Sequence, residues 1–154
     1  MVSTERLRAG VAAIGFLTFG IVTVYAHDKH ANYSAGEPGN PKQPSREIVV
    51  LMSEMDYTPS KIEVKRGEQI RFRIRNVGAE SHEFLLASTA DNLKHGEAMK
   101  KNPDMEHDEP NGIKLSSKTS GEVLWKFTKA GTFEYSCLIP THRELGMIGK
   151  VVVK

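Results

Sequence analysis

From Glu47 onward, apolar and polar residues alternate with a period of two. Ile70, Phe72 and Ile74 are interleaved with Arg71, Arg73 and Arg75, and Ile62 and Val64 stand among charged neighbours. Successive side chains of a strand point to opposite faces, so this spacing places one face of each segment in a core. The signal recurs at Val123, Trp125 and Phe127, at Phe133, Tyr135 and Cys137, and at Met147, Val151 and Val153. Residues 48–52 form an apolar run, and residues 83–86 read as a strand after Gly78. Gly67, Gly78, Gly121, Gly131 and Gly149 fall at or near the breaks, where a reversing chain uses permissive dihedrals. Many short strands separated by turns predict an all-β, Greek-key β-sandwich, most simply antiparallel.

One segment departs from this rhythm. Residues 88–101 offer Thr89 and Asp91 as caps, then Leu93, Ala98 and Met99 among Lys and Glu, with Pro103 beyond, which predicts a short helix between strands. Residues 102–111 read as an acidic, proline-bounded loop. Upstream, residues 27–45 are rich in Gly, Pro, Asn, Ser and Lys and read as a flexible leader, because they hold too little apolar surface to offset their ordering entropy. Residues 1–26 combine Arg6 and Arg8 with an apolar stretch and end Val24-Tyr25-Ala26, the pattern of a signal peptide. Glycines at 10, 15 and 20 interrupt that stretch, which falls short of the roughly 20 residues of a membrane span. The expected organisation is a signal peptide at 1–26, a leader at 27–45 and one domain at 46–154, exported to the periplasm with no stable membrane insertion after cleavage.

A chain of 154 residues, 39% hydrophobic and 26% charged, fits one globular domain and excludes disorder and coiled coil. Lys and Arg number 21 against 19 Asp and Glu, a balance that does not point to nucleic acid or an anionic membrane. A single cysteine rules out an intramolecular disulfide, so Cys137 acts, if at all, as a thiolate.

Cys137 lies on the parity of Phe133 and Tyr135, and Met147 on that of Val151 and Val153, so both point inward. Four residues separate Cys137 from His142, and four more separate His142 from Met147. One inter-strand loop thus gathers a thiolate, an imidazole and a thioether around a point. This soft, mixed donor set suits copper: thiolate and thioether favour Cu(I), and imidazole accepts either oxidation state. A second imidazole is available at His82, which shares parity with Phe84 and Leu86 and comes from a separate strand. A cysteine–histidine enzyme would need an oxyanion site that no motif supplies, and structural zinc prefers more thiolates or histidines. A binuclear copper centre would need a second cysteine, and a multicopper oxidase paired His-x-His motifs.

These residues resemble the cupredoxins, the type 1 (blue) copper proteins, over about residues 48–154. Within that family the loop lengths are similar to those of rusticyanin and auracyanin, and to azurin in the first gap. The resemblance implies His82 and His142 as imidazole ligands, Cys137 as thiolate and Met147 as axial thioether of one type 1 Cu(I)/Cu(II) site. Many family members carry Asn after the first histidine, where it steadies the cysteine loop; here Glu83 stands there. The acidic loop and the export signal also resemble exported bacterial copper-tolerance cupredoxins.

With four protein ligands and no open position, the resemblance implies a one-electron carrier and not an enzyme, with copper tolerance or delivery as the alternative. A monomer would dock a redox protein, such as a cytochrome or oxidase, through Leu138, Ile139, Pro140, Leu145 and Ile148 around His142. A second cluster of soft donors, His95, Met99, Met105 and His107, lies beside acidic residues and suggests a weaker extra copper site. Against it stands the reading that Met99 packs inward and the rest are solvated. His27 and His30 present the same choice, as copper donors or as solvated tail residues. Met52 and Met55 read as core or surface residues.

Overall fold

The computed structural model describes residues 32–102 and 109–154. The segment 1–26 expected as a signal peptide, together with His27, His30, Met105 and His107, lies outside the described residues. The strands are β1 (Glu37–Pro38), β2 (Arg46–Ser53), β3 (Asp56–Thr58), β4 (Lys61–Val64), β5 (Gln69–Asn76), β6 (His82–Ala87), β7 (Gly112–Leu115), β8 (Ser120–Lys126), β9 (Gly131–Ser136) and β10 (Ile148–Val153). One helix, α1 (Thr89–Lys101), separates β6 from β7. Two five-stranded sheets result, ordered β1-β8-β5-β2-β3 and β4-β10-β9-β6-β7.

The sheets are mixed, which corrects the antiparallel expectation: β2 runs parallel to β5, and β4 parallel to β10. After β3 the chain crosses to the second layer for β4 and returns for β5, so β5 repeats the direction of β2. The alternating positions meet between the layers. Ile70, Phe72 and Ile74 are fully buried, as are Phe84, Leu86, Trp125 and Tyr135. Phe72 of one sheet packs on Phe84 of the other at 5.3 Å between ring centroids, and Tyr57 meets Tyr135 edge-on at 5.0 Å.

All six residues of β6 are buried because helix α1 covers its outer face. Leu85, Met99 and Leu138 form a small separate cluster under the helix. The helix is capped by Ser88, one residue ahead of the expected caps: its hydroxyl accepts from the Asp91 amide at 3.1 Å and donates to the Asp91 carboxylate at 2.8 Å. Of its apolar residues Met99 is buried and Leu93 is 54% exposed.

Residues 32–45, expected within a flexible leader, make specific contacts with the domain. Tyr33 stands edge-on to Trp125 at 5.3 Å, Ala35 is buried, and β1 pairs with β8. Gln69 then binds the following turn, accepting from the Asn40 amide at 2.7 Å and donating to the Asn40 carbonyl at 3.1 Å. Composition misled here because two side chains and a buried amide, not an apolar run, anchor the segment.

Gly149 is the second residue of β10, near a break as expected. A Cβ there would stand 2.0 Å from Cε2 of Tyr135. Gly149→Ala is therefore expected to destabilise the fold by about 2–3 kcal/mol through overpacking, measured as a lower urea midpoint at unchanged slope.

Candidate metal centre

The second sheet brings four residues from three places to one end of the sandwich. His82 opens β6, Cys137 directly follows β9, Met147 directly precedes β10, and His142 sits in the loop joining those last two strands. Because β9 pairs with both β6 and β10, the ends of these strands lie side by side. His82, Cys137 and Met147 are fully buried and His142 nearly so. One ligand atom from each of His82, Cys137 and His142 lies within 4.8 Å of the others. The thiol Sγ stands 3.3 Å from His142 Nδ1, and the two imidazole centroids are 5.2 Å apart. Met147 lies near His82.

Backbone hydrogen bonds fold the loop tightly. Cys137 N–H donates to Met147 O at 3.3 Å, Met147 N–H to His142 O at 3.1 Å, and His142 N–H to Ile139 O at 3.1 Å. Gly146 takes φ +105°, in the left-handed region that favours glycine. From the loop, Arg143 donates to Glu134 of β9 at 2.6 Å, and Thr89 of α1 donates to the same carboxylate at 2.8 Å. The helix and the ligand loop are thereby tied through one β9 side chain.

Glu83 takes the position where Asn is common in the resembling family, and its side chain reaches the cysteine loop. Its carboxylate accepts from the Leu138 amide at 3.2 Å, and its own amide donates to Cys137 Sγ at 3.4 Å. Tyr57 hydroxyl donates to the Glu83 carbonyl. Burial pushes the Glu83 carboxyl up from its ordinary value, with Lys114 across β7 pulling it back. Glu83→Ala leaves the buried Leu138 amide without its acceptor and is expected to cost about 1–3 kcal/mol of stability in the metal-free protein, readable by urea unfolding. Glu83→Gln, which keeps an acceptor, should recover most of the loss.

The donor set passes a chemical test for a soft metal. Both ring nitrogens of His82 are buried and have no hydrogen-bond partner among the described residues, a costly arrangement for a polar group with nothing to bind. Burial, with His142 beside it, holds His82 below the ordinary histidine value, so the ring is neutral at pH 7 and has a lone pair to donate. Thiolate with two imidazoles and a thioether is the combination that suits copper. Such a metal, when bound, supplies a Cu(I)/Cu(II) couple. The protein supplies a buried pocket whose loop is tied by backbone hydrogen bonds.

The apolar residues expected around His142 differ in exposure. Leu145 is 64% exposed and Pro140 is exposed, Ile139 and Ile148 are half-buried, and Leu138 is instead buried under α1. Of the second soft-donor cluster, Met99 packs against Leu85 and Leu138, and His95 is half-buried. Met52 belongs to the core, whereas Met55 is half-buried in a turn with φ 57°. Sequence periodicity missed the turn before β6: Asn76 Nδ2 donates to Glu80 O at 2.7 Å, and a Cβ on Gly78 would lie 3.0 Å from His82 Nε2. Gly78 was legible only as a break.

The profile described as copper binding proteins, plastocyanin/azurin family, matches residues 46–154. The chain is 45% identical to the "Copper-resistant cuproprotein CopI" of Rubrivivax gelatinosus, over 84% of this chain and 78% of that protein. It is 31% identical to a protein of the same name from Pseudomonas aeruginosa, over 100% of this chain and 99% of that one. Among solved structures, auracyanin B superposes with a TM-score of 0.64 at 22% identity, covering 80% of this chain and 99% of that one, a likeness of fold. Sandwich, buried donor set and profile agree: the chain belongs to the plastocyanin/azurin family of copper-binding proteins.

Proposed function

We propose that this protein serves copper tolerance outside the cytosol, holding one copper ion through His82, Cys137, His142 and Met147 and passing single electrons to and from it. The observation that carries this reading is the buried His82, with two partnerless ring nitrogens beside Cys137 and His142. The relatives' name, copper-resistant cuproprotein, supports the tolerance role. Four protein donors in a closed pocket suit binding and electron exchange better than turnover of a substrate, so the protein is a carrier and not an enzyme. The exposed Leu145 and Pro140 beside His142 favour, as a second reading, brief docking of a monomer with a redox protein such as a cytochrome or oxidase. Among the described residues no helix is long and apolar enough to cross a membrane, which is compatible with an exported form that acts free of the bilayer.

The test pairs growth with binding. A deletion strain should lose tolerance to added copper and regain it with the native gene but not with Cys137→Ser. Purified protein should develop an intense visible band that saturates at one equivalent of Cu(II). Loss of tolerance without any change in respiration supports the tolerance role. Slowed respiration at unchanged tolerance would favour the redox-carrier reading.

Copper uptake also has a predictable pH dependence. Burial pushes the Cys137 thiol up to about 12, so in the metal-free protein it is protonated across pH 7–9, while His82 is neutral throughout that window. A bound copper displaces the thiol proton. Apparent affinity should therefore rise about tenfold per pH unit from pH 7 to 9 and fall as pH drops, checked by competition with a chelator of known pH dependence. A flat profile would count against thiolate ligation.

A further inference from the structure

The Nδ1 side of His142 faces Cys137, and its other nitrogen has a partner of its own. His142 Nε2 stands 3.5 Å from Glu80 Oε2, at ion-pair distance. Glu80 is 60% exposed, yet the turn that carries it is tied from four directions. Asn76 holds its carbonyl at 2.7 Å and accepts from the Gly78 amide at 2.9 Å. Ser117 donates to Gly78 O at 2.8 Å, and Lys118 donates to Val77 O. Glu54 accepts from the Ala79 amide. Gly78 is required where this turn passes between Glu54 and His82, because a Cβ would come within 2.7 Å of the carboxylate and 3.0 Å of His82 Nε2. The turn so bonded fixes the backbone of Glu80 on the exposed rim, from which its carboxylate reaches the outer edge of His142.

We propose that Glu80 is a positioning residue for His142, fixing the ring proton on Nε2 so that Nδ1 is left to the metal, and adding negative charge that favours Cu(II) over Cu(I). Metal-bound histidines commonly donate their second N–H to a carboxylate, which fixes the tautomer and makes the ligand more basic. The proposal rests on the copper reading above for its second half and on geometry alone for its first. It also sets the Glu54–Gly78–Glu80 turn apart from ordinary surface loops, since its hydrogen bonds would orient a ligand from outside the ligand set.

The test separates these halves. Nitrogen NMR of the metal-free protein reports the His142 tautomer directly, and the proposal expects the Nε2–H form to dominate in the native chain. Glu80→Ala should lower the Nε2–H to Nδ1–H ratio by about threefold, in line with one partly exposed charge contact, at an unchanged melting temperature. Glu80→Gln keeps an acceptor but not the charge, so it should preserve the tautomer while raising the reduction potential of the copper-loaded protein. Glu80→Lys should raise that potential further. A tautomer ratio that does not move in Glu80→Ala, or a potential that does not move in Glu80→Lys, overturns the proposal. Failure of the native chain to take up copper would instead overturn the function proposed above and leave the tautomer readout standing.

Discussion

Cys137→Ser is expected to abolish the visible band of the copper-loaded protein and to weaken copper binding by more than about 100-fold, because losing a group that merely hydrogen-bonds a ligand commonly costs about ten- to a hundred-fold and this change removes a ligand itself. The substitution is nearly isosteric, and Cys137 is fully buried at the end of β9 with its amide bonded to Met147 O, so the fold should persist. A hydroxyl lacks the soft, polarisable charge that a thiolate offers to copper and gives no intense charge-transfer band. The measurement is a Cu(II) titration of native and variant proteins by absorption and by chelator competition, with melting curves of the metal-free forms alongside. Retention of the band in the variant would mean that copper binds elsewhere.

Phe84→Ala is expected to destabilise the protein by about 3–5 kcal/mol, the range for deleting a buried aromatic ring. Phe84 touches three other rings: Phe72 at 5.3 Å, Tyr135 stacked at 5.2 Å, and Tyr57 at 6.4 Å. It also lies two residues after His82 on the same inward face of β6. For a domain of this size the midpoint of thermal unfolding should drop by about 15 °C, seen by circular dichroism. Copper should restore part of the loss, since a ligand that binds only the folded state adds to its stability. A drop of only a few degrees would mean that the two sheets are held together mainly elsewhere.

Much of this architecture was legible because its elements obey single rules. The period of two along 70–74 and 123–127 matched the buried face, since those strands have one face in the sandwich core, whereas 133–137 is buried on both faces because Thr89 and Asn92 of α1 bond Glu134 and Ser136 on its outer side. The equal gaps from Cys137 to His142 and from His142 to Met147 pointed to one clustered loop, and the geometry brings Cys137 and His142 together with His82. What escaped depended on contacts remote in sequence. Strands β3 and β7 are short and were hidden, the Tyr135 ring that occupies the space of a side chain at Gly149 is remote from it in sequence, and β1 forms on a leader whose composition suggested none. Glu83 read only as a departure from the family pattern. Its hydrogen bond to Leu138 shows that a carboxylate reaches the cysteine loop, which the sequence neighbours of Glu83 do not reveal.

The most direct test of the account is X-ray absorption at the copper edge on the protein loaded with one equivalent. One short sulfur and two imidazole nitrogens are expected as the nearest neighbours of the copper, with the sulfur lost in Cys137→Ser and one nitrogen lost in His82→Ala. Oxygen and nitrogen neighbours alone, unchanged by either substitution, would contradict ligation by Cys137 and His82.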